Sequence, residues 1–172
     1  MTNGPTRQAE PTDGIDSLAF REAMSRLGAA VHIATTDGAG GRCGTTVSAV
    51  TSVSDTPPSI LVCVNRRARI NTAIKENGVF AINTLPAHAE ALSDAFAGKG
   101  DLGFDDRFAL AEWNAALTGA PMLANARVAL DCRVTEVTEV GTHSVIFGEV
   151  VALTLGDRGP ALIYLDRAYH RI

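Results

Sequence analysis

The sequence predicts a mainly β chain with short helices, folded as a closed or split antiparallel barrel. Three observations lead there. Runs rich in Val, Ile and Thr recur along the chain, and residues of this kind favour extended backbone. Clusters of Gly, Pro, Asp and Ser separate them and supply turns. The helical patterns between the runs are short and do not alternate with strands in the βαβ rhythm of a parallel sheet.

Taken in order, residues 1–14 are polar and Gly/Pro-containing, and read as a disordered tail before one domain over 15–172. Asp16 or Ser17 can cap a helix in which Phe20, Met24 and Leu27 fall on one face, with Gly28 as its stop. That face should pack on the sheet or on a partner. Ala29 to Thr36 reads as the first strand, and Asp37 to Gly41 as a hairpin turn. The segment 44–65, GTTVSAVTSVSDTPPSILVCVN, organises the rest. Thr45, Thr46, Ser48, Thr51, Ser52 and Ser54 place hydroxyls among Val47, Ala49, Val50 and Val53, and the run reads as one strand. Small hydroxyl side chains let a flat ligand approach the backbone and bond its polar rim. An edge strand whose threonines face water is the alternative. Pro57 and Pro58 then break the sheet, because proline lacks a donor and fixes φ.

Ser59 to Val64 is continuously apolar, which suits a strand buried on both faces. It delivers Asn65-Arg66-Arg67-Ala68-Arg69, where three guanidinium groups enter a helix predicted over 71–76. Guanidinium charge together with free helix N–H groups makes an anion site; the alternative is a solvated charge run. The neighbouring hydroxyl-bearing strand adds weight to the anion reading, since a ligand with a polar ring and a phosphate would use both. Val79 to Leu85 reads as a buried strand and 86–97 as a second helix with Leu92 and Phe96 inward. Residues 98–106 read as a Gly/Asp loop, Trp113 as part of a weak strand, and 118–121 as a turn. Two long strands follow, Arg127 to Val140 and His143 to Leu155, and then a last one over 161–165.

Composition excludes several classes. A net charge of −4 argues against nucleic-acid binding. No apolar run reaches the ~18 residues of a membrane span, and the N-terminus is not signal-like. Cys43, Cys63 and Cys132 are odd in number and widely spaced, which fits reduced thiols in the cytoplasm rather than a disulfide frame or zinc site. GAGGRCG has the wrong spacing for a dinucleotide fingerprint and precedes a strand, and GKG lacks the rest of a phosphate loop. His32, His88, His143 and His170 are each isolated, and nothing marks one serine as a nucleophile.

Several segments resemble the short-chain flavin reductases, the NAD(P)H-dependent partners of two-component flavin monooxygenases. They are FREAMSRLGAAVHIATTDG, GTTVSAVTSVSDTPPSILVCVNRRA, FAGKGDLGFDDRF, DCRVTEVTEVGTHSVIFGEVVAL and the closing YHRI. The likeness runs from Phe20 to Ile172 and is greatest to the branches serving pyrimidine utilisation and then 4-hydroxyphenylacetate hydroxylation. It implies an FMN-binding split β-barrel of Greek-key type that holds flavin across a homodimer. Thr45, Thr46, Val47, Ser48, Ala49 and Ser52 would line the ring and ribityl chain. Cys63, Val64, Asn65, Ala68 and Arg69 would approach the ribityl and phosphate. His143 would stand on the nicotinamide side as the catalytic candidate, with Tyr169 near the same pocket. Arg67-Ala68-Arg69 departs from the small or hydroxyl residues that relatives often carry there.

The activity so implied is hydride transfer from NADH to FMN, with NADPH and FAD as the alternatives, and delivery of reduced flavin to a monooxygenase. The redox chemistry resides in the flavin, so no side-chain base is required. The rivals are a flavin store or carrier without nicotinamide chemistry, a flavin-free ligand-binding barrel, and a relative of the pyridoxamine-phosphate oxidases.

Overall fold

The structure is a computed structural model that describes residues 14–172. The expected tail over 1–14 therefore lies, Gly14 apart, outside the described residues.

Helix α1 (Ser17–Ser25) begins where Asp16 accepts hydrogen bonds from the backbone N–H groups of Leu18 (2.8 Å) and Ala19 (2.7 Å). The helix ends at Arg26, two residues before Gly28, so Gly28 is not its stop. No residue of α1 is buried, and Leu18, Phe20 and Met24, with Leu27 just beyond, remain 46–71% exposed in this chain.

The expected first strand is two: β1 (Ala29–Ala30) and β2 (His32–Thr36). Val31 separates them because its backbone serves other partners, donating to the Leu162 carbonyl and accepting from Leu85 N–H. The larger change falls on the hydroxyl-rich run. It forms β3 (Cys43–Val47) and β4 (Val50–Asp55), interrupted at Ser48-Ala49, where Val50 N–H bonds back to the Ser48 carbonyl. β3 pairs with β2, and β4 pairs with β5 (Pro58–Asn65). The two halves of the run thus become the two opposite edges of the main sheet.

α2 (Arg69–Asn77) ends at Gly78, whose left-handed φ of 68° suits a residue without Cβ. β6 (Val79–Thr84) follows. The second helix, α3 (Glu90–Phe96), is shorter than expected, since Pro86 to Ala89 forms a turn. The following loop contains a further helix, α4 (Phe104–Phe108). Strands β7 (Trp113–Ala115), β8 (Pro121–Leu123), β9 (Val128–Val140), β10 (His143–Leu155), β11 (Leu162–Leu165) and β12 (Ala168–Arg171) complete the chain. β8 and β12 depart from the expectation of a turn over 118–121 and of a last strand over 161–165, since Pro121 begins a strand pairing with β7 and a further strand pairs with β11.

All the strand pairings are antiparallel. The main sheet has seven strands in the order β3-β2-β6-β9-β10-β5-β4; β1-β11-β12 and β7-β8 form smaller sheets. β2 and β6 lie between two cores and supply both. Ile33 and Ala81 enter one with Leu85, Phe96, Phe108 and Leu162, whereas Ala34, Phe80 and Ile82 enter the other with Val62, Ile70 and Ile146. Burial on both faces is why these two strands read as continuous rather than alternating.

β5, expected to behave likewise, alternates instead. Ile60, Val62 and Val64 face the core, while Ser59, Leu61 and Cys63 are only partly covered. Within one chain nothing packs fully on their outer face. Among the described residues, no helix is long and apolar enough to cross a membrane. All three cysteines are free thiols.

Candidate functional site

The site is built along β3. Its threonines hold a helix: Thr46 Oγ1 donates to the Ser93 carbonyl (2.6 Å) and Thr45 Oγ1 to that of Phe96 (3.5 Å), which moors α3 over the strand. Gly44 allows the approach, since a Cβ there would lie 2.6 Å from Phe96 Cε1. The strand and the α3–α4 segment then enclose a groove with two compartments, and Ala97 borders both.

One compartment, about 170 Å³, is cationic. Arg69 and Arg107 line it, together with Cys43, Thr45, Ala68 and Phe104. The two guanidinium groups stack on the same ring, with Cζ 4.6 Å and 4.8 Å from the centroid of Phe104. α2 starts here, and Ala68 offers no side chain to cap it. Burial pushes the Cys43 thiol up, while Arg69, the Gly44 backbone and Arg107 pull it down.

The other compartment, about 200 Å³, is bordered by Thr46, Val47, Ser48, Lys99, Tyr164 and Tyr169. The tyrosine rings meet edge-on at 5.5 Å. Tyr169 is fixed by its hydroxyl, which bonds Ser93 Oγ (2.8 Å) and donates to Asp94 Oδ1 (2.8 Å). Lys99 reaches the same carboxylate at 2.8 Å. Its hydrogen bond is the main cause holding Asp94 below the usual carboxylate range, and partial burial pushes the Tyr169 phenol up.

The expected cationic loop does not act as one cluster. Arg69 turns into the groove with α2, whereas Arg66 and Arg67 border a separate cavity of about 510 Å³ with Asn65, Gly141 and Thr142. Arg66 Nε is 2.9 Å from Glu139, which also binds Lys75 (2.6 Å) and Ser144. The Lys75 contact is the first cause of a lowered Glu139 carboxyl.

His143 stands at the edge of that region, across from Asn65 in the β5–β10 ladder, with Nδ1 2.9 Å from Thr142 Oγ1. It borders neither compartment of the groove in this chain. Ser52 is exposed on β4, and Ala49 lies in the β3–β4 link, where its carbonyl accepts from Cys63 N–H. Val64 is buried, and its carbonyl accepts from Asn71. The single chain therefore gathers Thr45 to Ser48, Ala68, Arg69 and Tyr169 along one groove and leaves Ser52, Cys63, Asn65 and His143 outside it.

Sequence reasoning did not single out Arg107, Phe104, Lys99 or Tyr164. Residues 98–106 read only as a Gly/Asp loop, and the pairing of Phe104 with two arginines depends on where α2 begins.

A chain with this fold and groove belongs to a known family. The flavin reductase like domain matches residues 24–172. Among similar proteins, the FMN reductase (NADH) RutF of Pantoea ananatis is 50% identical over 162 residues, which is 94% of this chain and 84% of the relative. A Haemophilus somnus structure assigned to the flavin reductases superposes with a TM-score of 0.87 at 40% identity, covering 92% of this chain and all of that one. The NADH:FAD oxidoreductase SgcE6 of Streptomyces globisporus, solved with NAD and FAD fragments, gives 0.84 at 28% identity, covering 95% and 97%.

Proposed function

We propose that this protein is an NADH-dependent flavin reductase, with FMN as the favoured flavin, that delivers reduced flavin to a partner monooxygenase. The observation that carries the reading is the β3 groove of a flavin reductase-like chain, cationic at one end and aromatic at the other. FMN fits the donor set: a phosphate suits Arg69, Arg107 and the start of α2, and a ring suits Thr46 to Ser48 and the tyrosine pair. When bound, FMN would supply the redox chemistry of hydride acceptance from NADH. The chain's own residues bind and orient. Arg69 and the α2 N–H groups hold the anionic end, while the Ser93–Tyr169–Asp94–Lys99 network keeps the far wall rigid. Fixed walls matter because a reactant displaced by ~1 Å can react ~100-fold more slowly.

The finer architecture proposed is a split β-barrel working as a homodimer. Support for the barrel comes from the sheet's two edge strands, β3 and β4, which are joined by Ser48 and Ala49 alone. Seven strands laid flat would separate their edges by roughly 29 Å, whereas so short a link spans about 10 Å. A sheet rolled until its edges approach meets both conditions.

Support for the dimer comes from uncovered apolar surface on Leu18, Phe20, Met24 and Leu27, and on Leu153 and Leu155 of β10. Each groove compartment is also smaller than the ~300 Å³ at which ligand sites begin. A second chain supplying His143, Ser52 and the Asn65 loop would complete the site, in a protein placed in the cytoplasm. Anaerobic mixing with NADH and FMN, alongside sedimentation at micromolar concentration, tests the reading. Flavin bleaching by a dimer is expected. Failure to oxidise either NADH or NADPH with any flavin overturns the reductase, and a fully active monomer overturns the two-chain site.

A further inference from the structure

A second basic region lies apart from the β3 groove, where β5 ends and β10 begins. Two turns meet there, Asn65 to Ala68 after β5 and Gly141-Thr142 between β9 and β10. They are tied side by side, since Arg66 N–H donates to the Thr142 carbonyl (3.0 Å). Asn65 closes its own turn, accepting from Arg67 N–H at Oδ1 (2.9 Å) and from Ala68 N–H at its carbonyl (3.0 Å). The cavity they border is about 510 Å³, inside the ~300–1,000 Å³ range of small-molecule sites. It shares no lining residue with the Arg69 compartment.

The charges of this region do not cancel. Arg66 (2.9 Å) and Lys75 (2.6 Å) share one carboxylate, Glu139, so that group keeps a positive charge in excess. Arg67 is exposed and, among the described residues, pairs with no carboxylate. Thr142, which borders the cavity, also holds His143, with Oγ1 2.9 Å from Nδ1.

A braced cavity with unspent positive charge beside an imidazole suits an anion carried by the molecule that the imidazole meets. We propose that this cavity receives the diphosphate of the nicotinamide dinucleotide, with Arg67 as its main cation and Glu139 as the group that limits the charge it meets. The proposal deepens the reductase reading and rests on it, because that reading sets His143 on the nicotinamide side of a two-chain site. In NADH one ribose separates the nicotinamide from the diphosphate. A ring held at His143 therefore leaves the diphosphate beside the Gly141-Thr142 turn. Each phosphate is anionic at neutral pH and presents free oxygens, which a guanidinium binds in a planar fork. Flavin and dinucleotide would then anchor their anions in different cavities, so two rings could stack without their phosphates competing.

The test is calorimetric titration with ADP-ribose, which carries the diphosphate without the nicotinamide. It is run on the full chain with FMN present, and on Arg67→Gln, Arg67→Lys and Glu139→Gln, with melting curves for each. A charged hydrogen bond corresponds to roughly 10- to 100-fold in affinity. Arg67 is exposed, so Arg67→Gln should weaken ADP-ribose by about 10-fold, the lower end of that range, and Arg67→Lys by less. Glu139→Gln should strengthen ADP-ribose, because it releases the charges of Arg66 and Lys75; a change that merely loosened the turns would weaken it. Should Glu139→Gln melt too early to titrate, the two Arg67 variants carry the comparison. In turnover, Arg67→Gln should raise KM for NADH relative to that for dihydronicotinamide riboside, which has no phosphate. ADP-ribose affinity that ignores the Arg67 substitutions overturns the proposal, as does a loss shared equally with FMN. A loss seen with NADPH alone assigns Arg67 to the 2′-phosphate and overturns it too. ADP-ribose binding that follows these charges in a protein that never oxidises NADH leaves the cavity assignment standing and removes the reductase reading instead.

Discussion

Replacing Gly44 by alanine tests whether the close approach of β3 to α3 shapes the groove. The new Cβ would sit 2.6 Å and 2.9 Å from Phe96 Cε1 and Cδ1, and 3.3 Å from Phe108 Cζ. Carbon atoms settle at ~3.5–4.0 Å, so the Phe96 ring must retreat by about 1 Å. It has little room, being buried and packed at 5.2 Å on Phe108 and 5.5 Å on Trp113. Overpacking of this kind costs about 1–3 kcal/mol. Losing glycine's backbone freedom returns about 0.5–1 kcal/mol. A net loss of roughly 1–2 kcal/mol lowers the melting temperature by about 2–8 °C in a chain of this size. Because Phe96 borders the cationic compartment, FMN affinity should fall as well. Phe96→Leu makes space for the methyl group, so the double variant should be no less stable than Phe96→Leu alone, a coupling of about 1–2 kcal/mol. Thermal melts of all four proteins give the cycle. A Gly44→Ala protein that melts with the unaltered one, or losses that simply add, refutes the reasoning.

Three further outcomes are expected. His32 is buried against Thr84, and burial lowers its pKa from 6.5 to about 4. The unfolded chain takes up this proton near pH 6.5 and the folded one only near pH 4. The His32 contribution is therefore complete above pH 6.5 and is lost progressively between the two values, on the order of 3 kcal/mol in all; His32→Asn should flatten that part of a stability–pH curve. Tyr169→Phe removes two hydrogen bonds but keeps the ring, so it should cost about 1–2 kcal/mol in a melt and disturb flavin binding less than Tyr169→Ala. If His143 positions the nicotinamide, His143→Ala should raise KM for NADH and slow flavin bleaching in stopped flow, with flavin affinity and melting temperature little changed; unchanged reduction at every NADH concentration removes it from the site.

Local chemistry was enough for much of this protein. Asp16 caps α1 and the β9–β10 hairpin turns at Gly141-Thr142, because caps and tight turns depend on neighbours in sequence. Thr45, Thr46, Arg69 and Tyr169 were legible as site candidates, three of them through their residue types in a β-rich run or at a helix start, and Tyr169 through family resemblance. The sequence could not show that the run from Thr45 to Ser54 breaks in two. Its β propensity is uniform, and the break exists because β3 and β4 find different partners.

Tertiary structure alone decided which arginines share a cavity. Arg66, Arg67 and Arg69 are near neighbours in the chain, yet the start of α2 sends Arg69 to one side and leaves the others beside Gly141. Arg107 joins Arg69 from 38 positions away through a stack on Phe104. A helix start redirects side chains within one residue, and a groove is closed by segments that meet only after folding. Composition and spacing along the chain carry no record of either.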